Sequence, residues 1–260
     1  MCGLAILETE LFVISDAHPE VEVYDMSTFK NIRKIQLLDV KDPGDIVACK
    51  ENKRIYIVDW TGRNIENKLL RLDVAGKEDT PRRSLADDEC RLFVTRESNV
   101  LVTFYRNRKI VEYSPEGDIV VKTYIKGDRV HPIHSIKLSS GLLAICYAIA
   151  NEPTHKVSIV SDDGSILKSF GGRRVGDVGN VNFPTYLAVD RSDNILVADR
   201  DNVRVLVLNS RLELTVELLT KKDQLRRPRV LLLDEETNGL VVADCNDKFG
   251  DGQVLIFNLK

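Results

Sequence analysis

The sequence predicts an all-β protein, a six-bladed β-propeller with four antiparallel strands in most blades. One phrase carries the prediction, an apolar β-type run usually closed by aspartate, and it occurs six times. The copies are LFVISD (Leu11 to Asp16), RIYIVD (Arg54 to Asp59), NVLVTF (Asn99 to Phe104), LLAICY (Leu142 to Tyr147), NILVAD (Asn194 to Asp199) and GLVVAD (Gly239 to Asp244). Their last residues are 43, 45, 43, 52 and 45 positions apart, a period that fits several strands per unit and marks radial β-repeats. Six such units use nearly all of the 260 residues, so one domain is expected. Its blades fall near 1–40, 41–86, 87–128, 129–180, 181–224 and 225–260.

Within a unit the strands follow from short apolar, β-branched runs separated by turn residues. The third unit shows all four: Cys90 to Thr95, Asn99 to Phe104, Lys109 to Ser114 and Ile119 to Ile125. Its last turn is Pro115-Glu116-Gly117-Asp118, where proline presets φ and glycine accepts a positive φ. Third strands of the other units are expected to start near Val21, Leu69, Lys156, Arg204 and Gln253. The longest interval is absorbed by the loop from Gly171 to Phe183, which has neither GxGxxG nor Walker spacing and reads as a connector. The first unit begins directly with an innermost-type strand, CGLAIL, and the sixth ends at its third strand with FNLK. Its outermost strand is therefore expected to be missing, or to lie upstream in a longer parent chain.

Composition is 43% hydrophobic and 30% charged, with a formal net charge of −3. That balance argues against wholesale attraction to nucleic acid or membrane, while leaving room for a local patch. Five cysteines (Cys2, Cys49, Cys90, Cys146, Cys245) fall in different repeats without a CxxC, and read as free thiols of a reducing compartment. The amino-terminal stretch lacks a basic n-region, and no run approaches the roughly 20 apolar residues of a membrane span. A soluble, cytoplasmic protein with no membrane partner is expected.

The segment Phe183 to Leu214, FPTYLAVDRSDNILVADRDNVRVLVLNSRLEL, resembles an NHL repeat: a Pro-x-x-Leu-Ala-Val-Asp opening, an Ile-x-Val-Ala-Asp centre and an Asn-x-Arg-Val start to the third strand. Arg226 to Asp247 and Lys41 to Trp60 are further copies, and the remaining units are degenerate. The NHL resemblance implies six blades, as the repeat count does. It also implies kinship with the carboxy-terminal propellers of tripartite-motif ubiquitin ligases, which bind proteins or RNA, and more distantly with a peptide-amidating lyase and calcium-dependent lactonases. Fold alone does not choose among these.

On a propeller, inter-blade loops share one face with the loops between second and third strands. That face is expected to collect Arg82, Arg83, Arg173, Arg174, Arg226, Arg227 and Arg229 from the former, and Arg63, Arg106, Arg108 and Arg200 from the latter. Trp60, Tyr105, Tyr147, Tyr186 and His134 fall at the same level. Arginine with exposed aromatics suits a peptide or single-stranded RNA. The competing reading is that the aromatics pack between blades and the arginines are solvated. The expected contact set is Trp60, Tyr105, His134, Tyr147 and Tyr186 for area, with Arg63, Arg106, Arg200 and Arg229 for charge-assisted bonds.

No catalytic residue is expected. The repeated Asp16, Asp59, Asp199 and Asp244 read as loop braces that accept backbone N–H bonds rather than as an ion ring. His131 and His134 lie three apart on a strand and point to opposite faces, which opposes a shared metal. The expected function is non-enzymatic recognition of a protein or peptide, without cofactor or metal. RNA binding is the alternative, and a metal-dependent lyase or lactonase the second alternative.

Overall fold

Each repeat folds into its own antiparallel sheet, and the fold is an all-β, six-bladed β-propeller. The computed structural model describes residues 3–15, 18–60, 67–78, 83–85, 89–172, 179–234, 236–246 and 251–259. Blade 1 holds β1 (Gly3–Leu7), β2 (Glu10–Ile14), β3 (Glu20–Asp25) and β4 (Asn31–Gln36). Blade 2 holds β5 (Pro43–Cys49), β6 (Arg54–Asp59), β7 (Lys68–Asp73) and the two-residue β8 (Arg83–Ser84). Blade 3 holds β9 (Cys90–Val94), β10 (Val100–Phe104), β11 (Lys109–Tyr113) and β12 (Ile119–Tyr124). Blade 4 holds β13 (Val130–Lys137), β14 (Leu143–Ile149), β15 (His155–Val160) and β16 (Ile166–Gly171). Blade 5 holds β17 (Pro184–Val189), β18 (Ile195–Asp199), β19 (Arg204–Leu208) and β20 (Leu214–Leu219). Blade 6 has three strands: β21 (Pro228–Asp234), β22 (Gly239–Asn246) and β23 (Asp251–Asn258).

Every sheet is a meander, with sequence neighbours paired side by side. This is the arrangement that short turns between alternating strands dictate. Second strands are mostly apolar up to their closing residue because both of their faces are covered: Val100–Phe104 and Ile195–Asp199 are buried at every position. Fourth strands are the exposed ones, as in Ile119–Tyr124, where only Thr123 is buried.

The innermost strands of four blades share a β-bulge. The register shifts between Pro43 and Asp45, Pro132 and His134, Pro184 and Tyr186, and Pro228 and Val230. Proline has no N–H to give to the ladder, so a bulge beside it costs no hydrogen bond and re-aims the residue that follows.

By contact the chain forms two compact units, Met1–Val102 with Glu112–Val120, and Thr103–Val111 with Val121–Lys260. The first has its core where blades 1 and 2 meet, with Phe12, Ile14, Val21, Val23, Ile46, Ile55, Ile57 and Leu70 at most 1% exposed. In the second, Val157, Val160, Ile195, Val197, Val205 and Leu206 have no exposed surface at all.

Candidate functional site

Aspartates that end second strands organise the loops around them. Asp59 Oδ1 accepts from the N–H groups of Lys41 (3.1 Å) and Asp42 (3.0 Å). Asp199 Oδ1 accepts from Asn182 N–H at 2.6 Å, and Asp244 accepts from the N–H groups of Arg226 (2.7 Å) and Arg227. Each therefore ties the loop entering its blade, as the loop-brace reading expects; Asp16 lies outside the described residues. Asp199 and Asp244 have no exposed surface, and their other bonds stay within the blade: Asn202 and Arg204 for the first, Gln253 for the second. Burial raises the pKa of Asp199, opposed by the bonds from Asn182, Asn202 and Arg204.

Blades 3 and 4 carry aromatics in place of this aspartate, both almost fully buried. Lys109 Nζ lies 4.5 Å from the centre of the Phe104 ring, so a cation over a ring replaces the ion pair that Arg204 makes with Asp199 at 2.7 Å. Tyr147 is 2% exposed and its hydroxyl accepts from Ser158 Oγ at 3.2 Å.

In the second unit, the brace of blade 5 builds a cluster above it. Arg200, Asp201 and Asn202 form one 3-10 turn after Asp199, closed by Val203 in the left-handed region at φ 55°. Asp201 N–H donates to the Asn182 carbonyl at 3.0 Å, which brings Phe183 beneath the turn. The Arg200 guanidinium carbon lies 4.3 Å from the Phe183 ring centre, and the His155 ring centre lies 5.3 Å from it at 58°. Asp201 bonds both Arg200 Nε, at 2.9 Å, and Arg227 Nη2. Two non-glycine residues with positive φ, Phe183 at 54° and Val203, thus flank one turn, each costing on the order of 1 kcal/mol or more. Burial pushes the His155 pKa down; Asp201 and Asp199 oppose this and Arg200 adds to it, so the imidazole is mainly neutral at pH 7.

Of the residues expected to make contacts, Arg200 belongs to this cluster. Arg106 is exposed in the loop after β10, and Tyr105 beside it is half-buried, its ring 5.1 Å from that of His131. Arg229 is half-buried on β21, and its carbonyl accepts from Thr185 Oγ1 at 3.1 Å. Arg63 lies outside the described residues, as do Arg82, Arg173 and Arg174.

The aromatic expectation needs correction. His134 has no exposed surface and stacks on Tyr186, itself 6% exposed, at 3.8 Å between ring centres. Its Nδ1 accepts from Leu187 N–H at 3.3 Å, which holds that nitrogen unprotonated. Tyr147 is equally enclosed. Trp60 is half-buried: its ring covers Gly44, where an added Cβ would come within 2.1 Å, its Nε1 donates to the Cys90 carbonyl at 3.3 Å, and Arg91 stacks over it at 4.9 Å. The bulge aims His134 at Tyr186 of the next blade, Trp60 reaches Cys90 and Arg91 of the next blade, and Tyr147 bonds Ser158 within its own, so these side chains pack inside the fold instead of presenting free area. Asp45 follows the same rule, its Oδ2 accepting from Leu92 N–H at 2.8 Å.

Phe183, His155 and Asp201 are absent from the expected contact set, and Arg227 is expected only as one of the loop arginines of that face. The signal for them was the Asn-x-Arg of Asn202 to Arg204, which marks the turn; the position of Phe183 depends on a φ value that spacing does not report. Among the described residues, no group of three or more His, Cys, Asp or Glu side chains is placed to hold a metal ion. No helix among them is long and apolar enough to cross a membrane.

No family model and no curated protein matches the chain. Solved structures do. A protein of unknown function from Bacteroides caccae is similar over 96% of this chain and 89% of its own, with TM-score 0.74 and 15% identity. A PQQ-bound aldose sugar dehydrogenase from Streptomyces coelicolor covers 98% and 92%, with TM-score 0.66 and 14% identity. Virginiamycin B lyase from Staphylococcus aureus covers 100% and 85%, with TM-score 0.64 and 11% identity. At such identities the likeness shows the propeller fold alone, shared by enzymes and by a protein without assigned activity.

Proposed function

We propose that the loops around Phe183 form a non-enzymatic recognition site for a protein or peptide partner, in a cytoplasmic protein of the NHL type and as the substrate-recognition part of a larger, ubiquitin-ligase-like chain. The observation that carries this reading is the cluster itself: an aromatic ring held at positive φ between a guanidinium and an imidazole, bracketed by a carboxylate-bridged pair of arginines. Strain kept at an accessible junction of three blades is characteristic of a site with a task.

The charges favour peptide over RNA. Arg200 and Arg227 share Asp201, and Arg204 is held by Asp199 and Glu217. Three guanidinium groups thus face three carboxylates, so phosphates would have to displace existing partners.

A peptide phage library selected against the whole chain tests the proposal. Selected peptides should lose about tenfold or more in affinity on Phe183→Ala and on Arg200→Ala, the cost of a central contact residue. Peptides indifferent to both changes would overturn it. A pool of single-stranded RNAs should show no binding with a steep salt response; such binding, lost in the same variants, would put RNA first.

A further inference from the structure

The first unit contains a cleft of about 430 Å³, none of whose lining residues belongs to the recognition cluster. It opens between β7 and β8 of blade 2 and the end of β11 with its following turn in blade 3. Tyr56, Leu69 and Val100 give it apolar walls, and Arg71, Arg83 and Tyr113 supply polar groups. The size is that of a pocket for a small organic molecule.

Arg83 is the unusual member. Its guanidinium carbon lies 5.0 Å from the centre of the Tyr113 ring, but it makes no hydrogen bond or ion pair among the described residues. Other half-buried arginines hold an acceptor, a carboxylate as Arg33 holds Glu10 and Arg204 holds Asp199, or backbone carbonyls as Arg54 holds those of Asn52 and Lys53. Gly117, at φ +94°, lets the backbone turn pass close: an added Cβ would sit 3.1 Å from Arg83 Nη2. Tyr113 is only 7% exposed, and its hydroxyl likewise has no hydrogen-bond partner among the described residues. Its pKa is raised by burial, with Arg83 opposing, so at neutral pH it is a phenol with a proton to donate. Arg71 contributes positive charge while its Nη1 donates to the Pro115 carbonyl.

We propose that this cleft binds a small, flat, apolar monocarboxylate, with Arg83 taking the carboxylate, the Tyr113 hydroxyl donating a second bond to it, and the body of the molecule lying against Tyr56, Leu69 and Val100. Among the described residues that line the cleft, Arg71 and Arg83 against Glu116 leave a net of one positive charge, which suits a monoanion. A guanidinium left without an acceptor in a half-enclosed site is costly, and an ionised acceptor recovers the strong form of hydrogen bond.

The probe is 1-naphthylacetate, with its neutral amide, 1-naphthylacetamide, as comparison, titrated calorimetrically into the whole chain. The acid should bind saturably and about tenfold or more tightly than the amide, the difference expected of a charge-assisted bond. Arg83→Gln should erase the preference for the acid, and Tyr113→Phe should weaken acid binding by about threefold to tenfold. Leu69→Trp, which fills the cleft and leaves the polar groups in place, should abolish binding of both. Equal binding of acid and amide by the unmodified chain, an acid preference that survives Arg83→Gln, or no saturable acid binding would each overturn the proposal.

Discussion

Asp45 is a buried carboxylate outside the two sites. It has no exposed surface, and its carboxylate accepts from the N–H groups of Ile46 (3.0 Å) and Leu92 (2.8 Å), with an Arg91 Nη1 at 3.9 Å. Burial dominates and pushes its pKa up to about 6, opposed by Arg91 and by the two backbone bonds. The folded protein therefore holds this proton more tightly than the unfolded chain, whose aspartate titrates near 3.9. The contribution of Asp45 to stability is fully present below about pH 4 and is lost as the pH rises through about 6. A shift of this size corresponds to at most about 3 kcal/mol. Asp45→Asn keeps an oxygen for Leu92 and removes the titration. Urea unfolding at pH 4, 5, 6 and 7 should show the variant losing less stability across that range than the parent; equal slopes would refute the assignment.

Single elements differ in how well the sequence declares them. The third unit's strands run within about a residue of where apolar runs and the Pro-Glu-Gly-Asp turn put them, because local chemistry fixes both ends. The braces were legible too, since a polar residue closing an apolar run must find donors. The aromatics were not: a bulge changes which way a side chain points without changing its spacing. Blade 6 shows what an absent neighbour does to a strand. The sequence VLIF of β23 matches VLVL of β19 position by position, yet Val205, Leu206 and Leu208 are fully buried while Val254, Leu255 and Phe257 are half-buried and Ile256 is 38% exposed. The difference is the fourth strand, β20, which β19 has and which β23, among the described residues, lacks. Outward-facing amides of β23 should therefore exchange with deuterium on the order of 100-fold faster than those of β19, as befits an edge with one partner. Equal protection of the two strands would mean that β23 is covered in solution.

Across the molecule, three cysteines report on whether single blades open. Cys49 and Cys146 have no exposed surface and Cys90 is 1% exposed. In a Cys2→Ser, Cys245→Ser background, an aromatic disulfide reagent should leave all three unmodified in native buffer and titrate three thiols in denaturing urea. A thiol that reacts in native buffer would show that its blade opens without global unfolding. The exchange of aspartate for aromatic among the blades bears on tolerance of new sequence. An aspartate brace fastens the segment leading into its own blade, at Lys41, at Asn182 or at Arg226, so lengthening those segments would break a bond as well as add chain. An aromatic accepts no such bonds, and the segment leading into blade 4 exposes Gly127, Asp128 and Arg129. Between those three residues a tag, a reporter peptide or a second domain can be spliced at the cost of exposed contacts worth little each, such as Arg108 to the Gly127 carbonyl at 3.2 Å and Arg129 to Glu152 at 2.9 Å, because loop length alone is thermodynamically cheap.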